Sequence, residues 1–268
     1  MTKLKIFGRI VIFILICFSS ILILNILFSG VNYIMLDQGI SLISLLIATK
    51  INMHFFEKKK MIDIGLRFSA GNKRDLLLGV IIPFVMLLII FLFYIIFGFG
   101  YVVTGNISFV DDLLLAFPFY IFVAFNEEIL FRGYIFQKFI ELTNKYVALF
   151  LLSVCFGIAH LFNPNVSVLG VINIVLAGVF FSACYIKTNS LWLPISMHFT
   201  WNFVCGIGFG FPVSGTNRFD TLIRFIQTGP EWITGGSFGP EGGIIVTVLL
   251  LVTTLLIFYN KKLFAVKE

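Results

Sequence analysis

The sequence predicts an all-α fold: a polytopic integral membrane bundle of about eight transmembrane helices with both termini cytoplasmic. Three observations lead there. Of 268 residues, 59% are hydrophobic and 12% charged, and the mean hydropathy is +1.05, far from the balance of a soluble domain. Apolar runs close to the roughly 20 residues that a spanning helix needs recur along the chain. Lys and Arg fall almost entirely in alternate connections between those runs. The net charge of +6 therefore reflects topology rather than a nucleic-acid-binding face, and no nucleic-acid partner is expected.

The first span, 10–28, follows a basic start (Lys3, Lys5, Arg9) like that of a signal peptide. The apolar run continues through Phe28 without a small-x-small cleavage site, so a retained helix is expected. Further spans are predicted at 39–56, 76–99, 112–136, 146–162, 167–186, 191–210 and 243–260. Six basic residues (Lys58, Lys59, Lys60, Arg67, Lys73, Arg74) follow the second span. Lys138 and Lys145 flank the turn after the fourth, Lys187 follows the sixth, and Lys261, Lys262 and Lys267 end the chain. With the N-terminal three, fifteen basic residues share one side. The other side has Arg218 and Arg224, with Asp37, Asp111 and Asp112 on its short connections; Lys50 and Arg132 lie within spans. That asymmetry places both termini inside. In the outer connection 211–242, Phe219, Leu222, Ile223 and Ile226 fall at helical spacing opposite Arg218, Asp220 and Arg224, which predicts a helix on the outer membrane surface. No internal repeat is evident, which weakens a transporter reading.

Polar residues inside three spans concentrate the chemistry. The stretch "FNEEILFRGY" (125–134) places Glu127, Glu128 and Arg132 at a depth where ionisable groups need partners. "FGIAH" puts Phe156 and His160 four apart on one helical face, and "HFTWN" does the same for His198 and Asn202. Each has a structural reading. Glu128 and Arg132, at i and i+4, could pair simply to let the helix insert, each His could be a hydrogen-bonded packing residue, and Asn202 could join two helices. The pair leaves Glu127 unexplained, since it points about 100° away. Together, the acid, the two imidazoles and the amide can activate a water and stabilise an oxyanion. Helical rise gives them depths that agree only within about 10 Å, so convergence requires a tilt, a kink near Gly133 or an entry bend.

The remaining candidates read as structural. Cys17, Cys155, Cys184 and Cys205 lie in apolar runs with neither disulfide nor metal spacing. Cys205, seven residues past His198, could add a soft ligand, but a core cysteine is the expectation. His54 and Trp192 read as interfacial residues.

The ordered set Glu-Glu-x-x-x-Arg, Phe-x-x-x-His and His-x-x-x-Asn resembles the CPBP family of intramembrane proteases. That family includes type II CAAX prenyl endopeptidases and bacteriocin-processing or self-immunity proteins. The contexts "NSLWLPISMHFTWN", "IGLRF" (64–68) and "GGSFGPEGG" (235–243) are similar to it as well. The resemblance implies N-terminal helices and a basic cytoplasmic loop over 1–110, and a catalytic membrane core over 111–260. It implies a catalytic set of Glu127, Glu128, His160, His198 and Asn202, supported by Arg132 and Phe156. Glu127 and His160 would activate water, while His198 and Asn202 polarise the scissile carbonyl. The reading expected from the residues is an endopeptidase cutting near the cytoplasmic face. Zn²⁺ on Glu127, His160 and His198 and a metal-free glutamate mechanism both remain open. The expected partners are the lipid bilayer and a peptide or membrane-anchored protein substrate. A non-catalytic protein conferring immunity by binding a bacteriocin or peptide is the alternative, and a proton-coupled transporter a third. Abundant Ile, Phe, Lys and Asn point to a low-GC bacterium, hence its plasma membrane.

Overall fold

A computed structural model describes residues 2–31, 33–104, 109–221 and 223–260. Leu222 and the basic tail Lys261, Lys262 and Lys267 lie outside the described residues. Every predicted span overlaps a helix. In chain order these are α1 (Lys3–Leu27), α2 (Ile34–Asn52), α3 (Ala70–Ile96), α4 (Phe109–Glu128), α5 (Ile135–Leu142), α6 (Lys145–Ala159), α7 (Val168–Thr188), α8 (Trp192–Phe203), the single turn α9 (Glu231–Thr234) and α10 (Ile244–Tyr259). Wide π turns extend α2 through Glu57, join α4 to α5 across Ile129–Tyr134, and extend α8 through Gly208. Among the described residues, five helical stretches are long and apolar enough to cross a membrane: Lys3–Leu27, Ile34–Glu57, Ala70–Ile96, Asp111–Leu142 and Val168–Thr188. Lys145–Ala159 and Ile244–Tyr259 are apolar but shorter. Leu15, Phe18, Leu22, Val85, Leu251 and Leu255 stand exposed on these helices, a surface suited to lipid rather than water.

Local sequence explains the helix ends. Asn144 Oδ1 accepts from the backbone N–H groups of Tyr146 and Val147 at the start of α6, and Ser167 Oγ accepts from Gly170 N at the start of α7. Asn189, in the left-handed conformation at φ 50°, terminates α7. Gly178 lets α6 and α7 approach closely, since a Cβ there would sit 2.9 Å from the Ser153 backbone.

The outer surface helix expected over 218–226 is not formed. Ile223–Gln227 is instead a strand, β2, paired antiparallel with β1 (Gly100–Thr104), with Val102 opposite Phe225. The stretch "GYVVT" supplies a β-branched partner, and Phe225 buries into the cluster around Tyr94 and Phe211. Backbone pairing with a distant segment overrides the local helical spacing. The all-α expectation holds apart from this ribbon.

Two large apolar clusters build the interior. One centres on Leu87, Tyr94, Phe180, Met197, Phe211 and Leu250. The other gathers Phe13, Ala48, Ile129, Phe136 and Leu152 from α1, α2, α5, α6 and the turn after α4. A third, small cluster holds Phe156, Ile174 and Phe238.

Candidate active site

The π turn after α4 carries a kink at Gly133, one of the alternatives the depths allowed: Gly133 has φ −81° and ψ −118°, outside helical geometry. Just before it, the two adjacent glutamates diverge. The Glu128 side chain is fully enclosed, while 27% of the Glu127 side chain is exposed, towards a cavity.

Glu128 is the hub of a sealed network. Its Oε1 accepts from Arg132 Nη1 at 3.0 Å and lies 2.9 Å from His198 Nδ1. Arg132, also fully buried, donates to the Gly178 carbonyl at 3.2 Å and to Ser182 Oγ at 3.4 Å. Its guanidinium lies 4.4 Å from the centre of the Phe156 ring. Phe181 stacks on His198 with centroids 5.1 Å apart. Arg132 thus meets a carboxylate, a carbonyl, a hydroxyl and aromatic faces, which is how a buried guanidinium is compensated.

Glu127 faces the two imidazoles. Its Oε2 lies 3.8 Å from His160 Nε2 and 3.8 Å from His198 Nε2, and it is buried without a hydrogen-bond partner. His160 closes α6, with Nδ1 2.8 Å from the Phe156 carbonyl. A carbonyl only accepts, so Nδ1 carries the hydrogen and Nε2 of the neutral ring presents a lone pair. His198 Nδ1 is held the same way by Glu128. With both rings neutral, two lone pairs and a carboxylate oxygen surround one small volume; protonation of His198 turns its Nε2 into a donor to the same volume. Asn202, buried on α8 one turn beyond His198, lines the same cavity. The structure brings Glu127, Glu128, His160 and His198 into one cluster and sets Asn202 on its wall. Arg132 and Phe156 pack behind it.

The donor types are those of a zinc site: two imidazole Nε2 atoms with fixed Nδ1 hydrogens and one carboxylate. As placed, no group of three or more His, Cys, Asp or Glu side chains among the described residues is positioned to hold a metal ion. Cys205 is buried, points to the Pro212 carbonyl at 3.7 Å, and does not line the cavity. His54 packs edge-on against Phe55 at the end of α2, away from the site.

The cavity encloses about 480 Å³. Sequence reasoning missed one of its walls, centred on Glu241. Glu241 Oε1 accepts from Trp201 Nε1 at 3.0 Å, and Oε2 accepts from Ser214 N at 2.6 Å and Ser214 Oγ at 2.8 Å. Asn173 Nδ2 donates to the Glu241 and Gly243 carbonyls. A lone acid in the Gly-rich stretch "GPEGG" was the available signal, together with Trp201 beside Asn202 in the third motif.

Residues 109–204 match the family model described as type II CAAX prenyl endopeptidase Rce1-like. No curated protein and no solved structure matches the chain. The matched segment holds Glu127, Glu128, Arg132, Phe156, His160, His198 and Asn202, every motif residue that builds the cluster, so it is in this core that the chain is similar to the Rce1-like family.

Proposed function

We propose that the chain is an intramembrane endopeptidase that hydrolyses a peptide bond of a membrane-associated substrate inside this cavity. The observation that carries the reading is Glu127 Oε2, unpartnered and 3.8 Å from both imidazole Nε2 atoms. Those separations suit a water bridging the three groups. Glu127 accepts the proton of that water as it attacks, with His160 fixing the water's orientation through Nε2. His198 in its protonated form donates Nε2–H to the carbonyl oxygen, and the Asn202 amide supplies a second donor as negative charge develops. Glu128 serves His198 by accepting from Nδ1, so it is a positioning residue. A proton on His198 also brings the cluster of two carboxylates and one guanidinium to neutrality. Glu127 then returns its proton to the leaving amine. The family match over 109–204 supports peptidase chemistry of this kind.

The donor set also favours a second reading, Zn²⁺ held by Glu127, His160 and His198, where the ion would lower the pKa of a bound water. Metal content of the purified, active protein separates the two. A bacterial plasma membrane is the setting we infer from composition. The decisive experiment compares membrane peptides from cells carrying the wild type and Glu127→Gln at equal protein level. A substrate that accumulates uncut supports the peptidase. An unchanged phenotype and peptide profile in the variant points to a binding or immunity role for the same cavity.

A further inference from the structure

The bundle has two chemically distinct ends. At one, Glu57 joins Arg9 and Lys138, each at 2.9 Å, which brings together the start of α1, the end of α2 and α5. The Leu191 N–H donates to the Gly65 carbonyl, and Lys187 Nζ donates to the Phe258 carbonyl, so the α7–α8 turn and the end of α10 share that end. Of the fifteen basic residues that the sequence assigns to one side, the twelve among the described residues lie in or beside the helix ends and connections gathered here. At the other end, β1 pairs with β2, the Asp220 N–H donates to Asp112, and Asn163 donates to the Ser214 carbonyl.

The cavity reaches from the middle of the bundle to the second end. Its rim is formed by Gln38, Asn163, Ser214, Thr216, Arg218 and Glu241, while no residue of 39–82, 132–155 or 182–196 lines it. His160 sits at the far end of α6 from Lys145, fifteen residues or roughly 20 Å away, and His198 lies about 10 Å along α8 from Leu191, so the reacting groups are set in from the basic end while the polar lining lies at the other. Basic connections stay on the cytoplasmic side of a membrane, with the bias set by short loops such as these.

We infer that the cavity opens to the extracytoplasmic side, and that the substrate is a peptide segment presented there: the exported part of a membrane-anchored protein or a secreted peptide held at the outer leaflet. The orientation follows from charge and geometry alone, whereas the word substrate rests on the peptidase reading. The expectation of cleavage near the cytoplasmic face is thereby replaced.

The test uses the full chain in intact cells and a membrane-impermeant maleimide, with wild type as the baseline for its own cysteines. Asn217→Cys, beside the rim, should label from outside, and Lys59→Cys only after permeabilisation. Thr216→Cys, on the rim itself, repeats the measurement if the first variant is poorly made, and a fluorescent protein fused after Glu268 that matures only in the cytoplasm should glow. Labelling of Lys59→Cys from outside, labelling of both sites in intact cells, or protection of Asn217→Cys and Thr216→Cys would overturn the inference. Peptides whose cleavage differs between wild type and Glu127→Gln should map to exported segments, and cytoplasmic cut sites would also overturn it. The expected labelling with no altered peptide at all would leave the orientation standing and remove the peptidase reading.

Discussion

Replacing Arg132 by Ala removes the guanidinium paired with Glu128 in a site where both side chains are fully enclosed. Three acceptors lose a donor at once: the Gly178 carbonyl, Ser182 Oγ and Glu128 Oε1, which keeps His198 Nδ1. Breaking a buried pair by removing one partner costs about 3–5 kcal/mol, because a charge is left uncompensated. The lost packing against Phe156 adds to this. For a chain of this size such a loss lowers the unfolding midpoint by on the order of 10 °C. The assay is thermal unfolding of detergent-solubilised protein, read alongside the amount inserted in membranes. Arg132→Lys keeps a charge but cannot reach the carboxylate, the carbonyl and the hydroxyl together, so it should recover only part of the loss. Adding Glu128→Gln to Arg132→Ala should restore stability partly, since no charge then remains stranded. A wild-type midpoint for Arg132→Ala, or a double variant less stable than the single one, would refute the reasoning.

Further outcomes follow from the same geometry. Glu127→Gln should abolish cleavage, because an amide cannot take the proton of water, while Asn202→Ala, losing one oxyanion donor, should retain activity reduced by about 10²–10³; full proteolysis by the Gln variant would exclude Glu127 as the base. If zinc is the resident ion, His160→Ala and His198→Ala should both lose stoichiometric metal and chelation should silence the wild type reversibly; active protein without metal settles for the carboxylate alone. Gly178→Ala should lower the unfolding midpoint, since its Cβ would meet the Ser153 backbone at 2.9 Å and drive α6 from α7; an unchanged midpoint would show that the pair tolerates separation. Asp63 sits outside the spans, where a hydrogen bond from Arg67 at 2.7 Å, with the Lys60 backbone N–H assisting, holds its carboxyl below the usual carboxylate range. Whatever stability that depressed carboxyl contributes is present above its unfolded-state pKa and is lost as pH falls through the folded one; as an exposed pair it should leave Asp63→Asn with a wild-type midpoint at pH 7.

How far the sequence spoke depended on the range over which each feature is determined. Spans and motif faces are set within four residues, so Glu128 with Arg132, and Phe156 with His160, were legible from spacing alone. The kink near Gly133 was legible only as one of several ways to reconcile the depths of Glu127, His160 and His198, beside a tilt or an entry bend. The link from Glu128 to His198 was not, since it crosses seventy residues and depends on how α4 and α8 pack. Spacing made Glu128 an ion-pair partner of Arg132; packing adds the orientation of an imidazole. The ribbon was misread for the same reason. Ile223 and Ile226 have helical spacing, but backbone partners at Thr104 and Tyr101 decide the outcome. Glu241 escaped because nothing within four residues of it carries chemistry.

The two adjacent glutamates divide insertion from reaction. Glu128 cannot be separated from the fold: its oxygen holds Arg132 and His198, and Arg132 in turn holds the α7 backbone at Gly178, the residue that lets α6 approach. Any change at Glu128 therefore disturbs both the tolerance of charge within the bundle and the orientation of one imidazole. Glu127 is the opposite case. Its Oε2 accepts no hydrogen bond within the protein, so Gln in its place takes nothing from the network that holds the helices. The pair Glu-Glu-x-x-x-Arg thus serves as one acid that pins Arg132 and His198 and one that is left free to meet a water. This is why Glu127→Gln, and not a change at Glu128, tests chemistry without testing the fold.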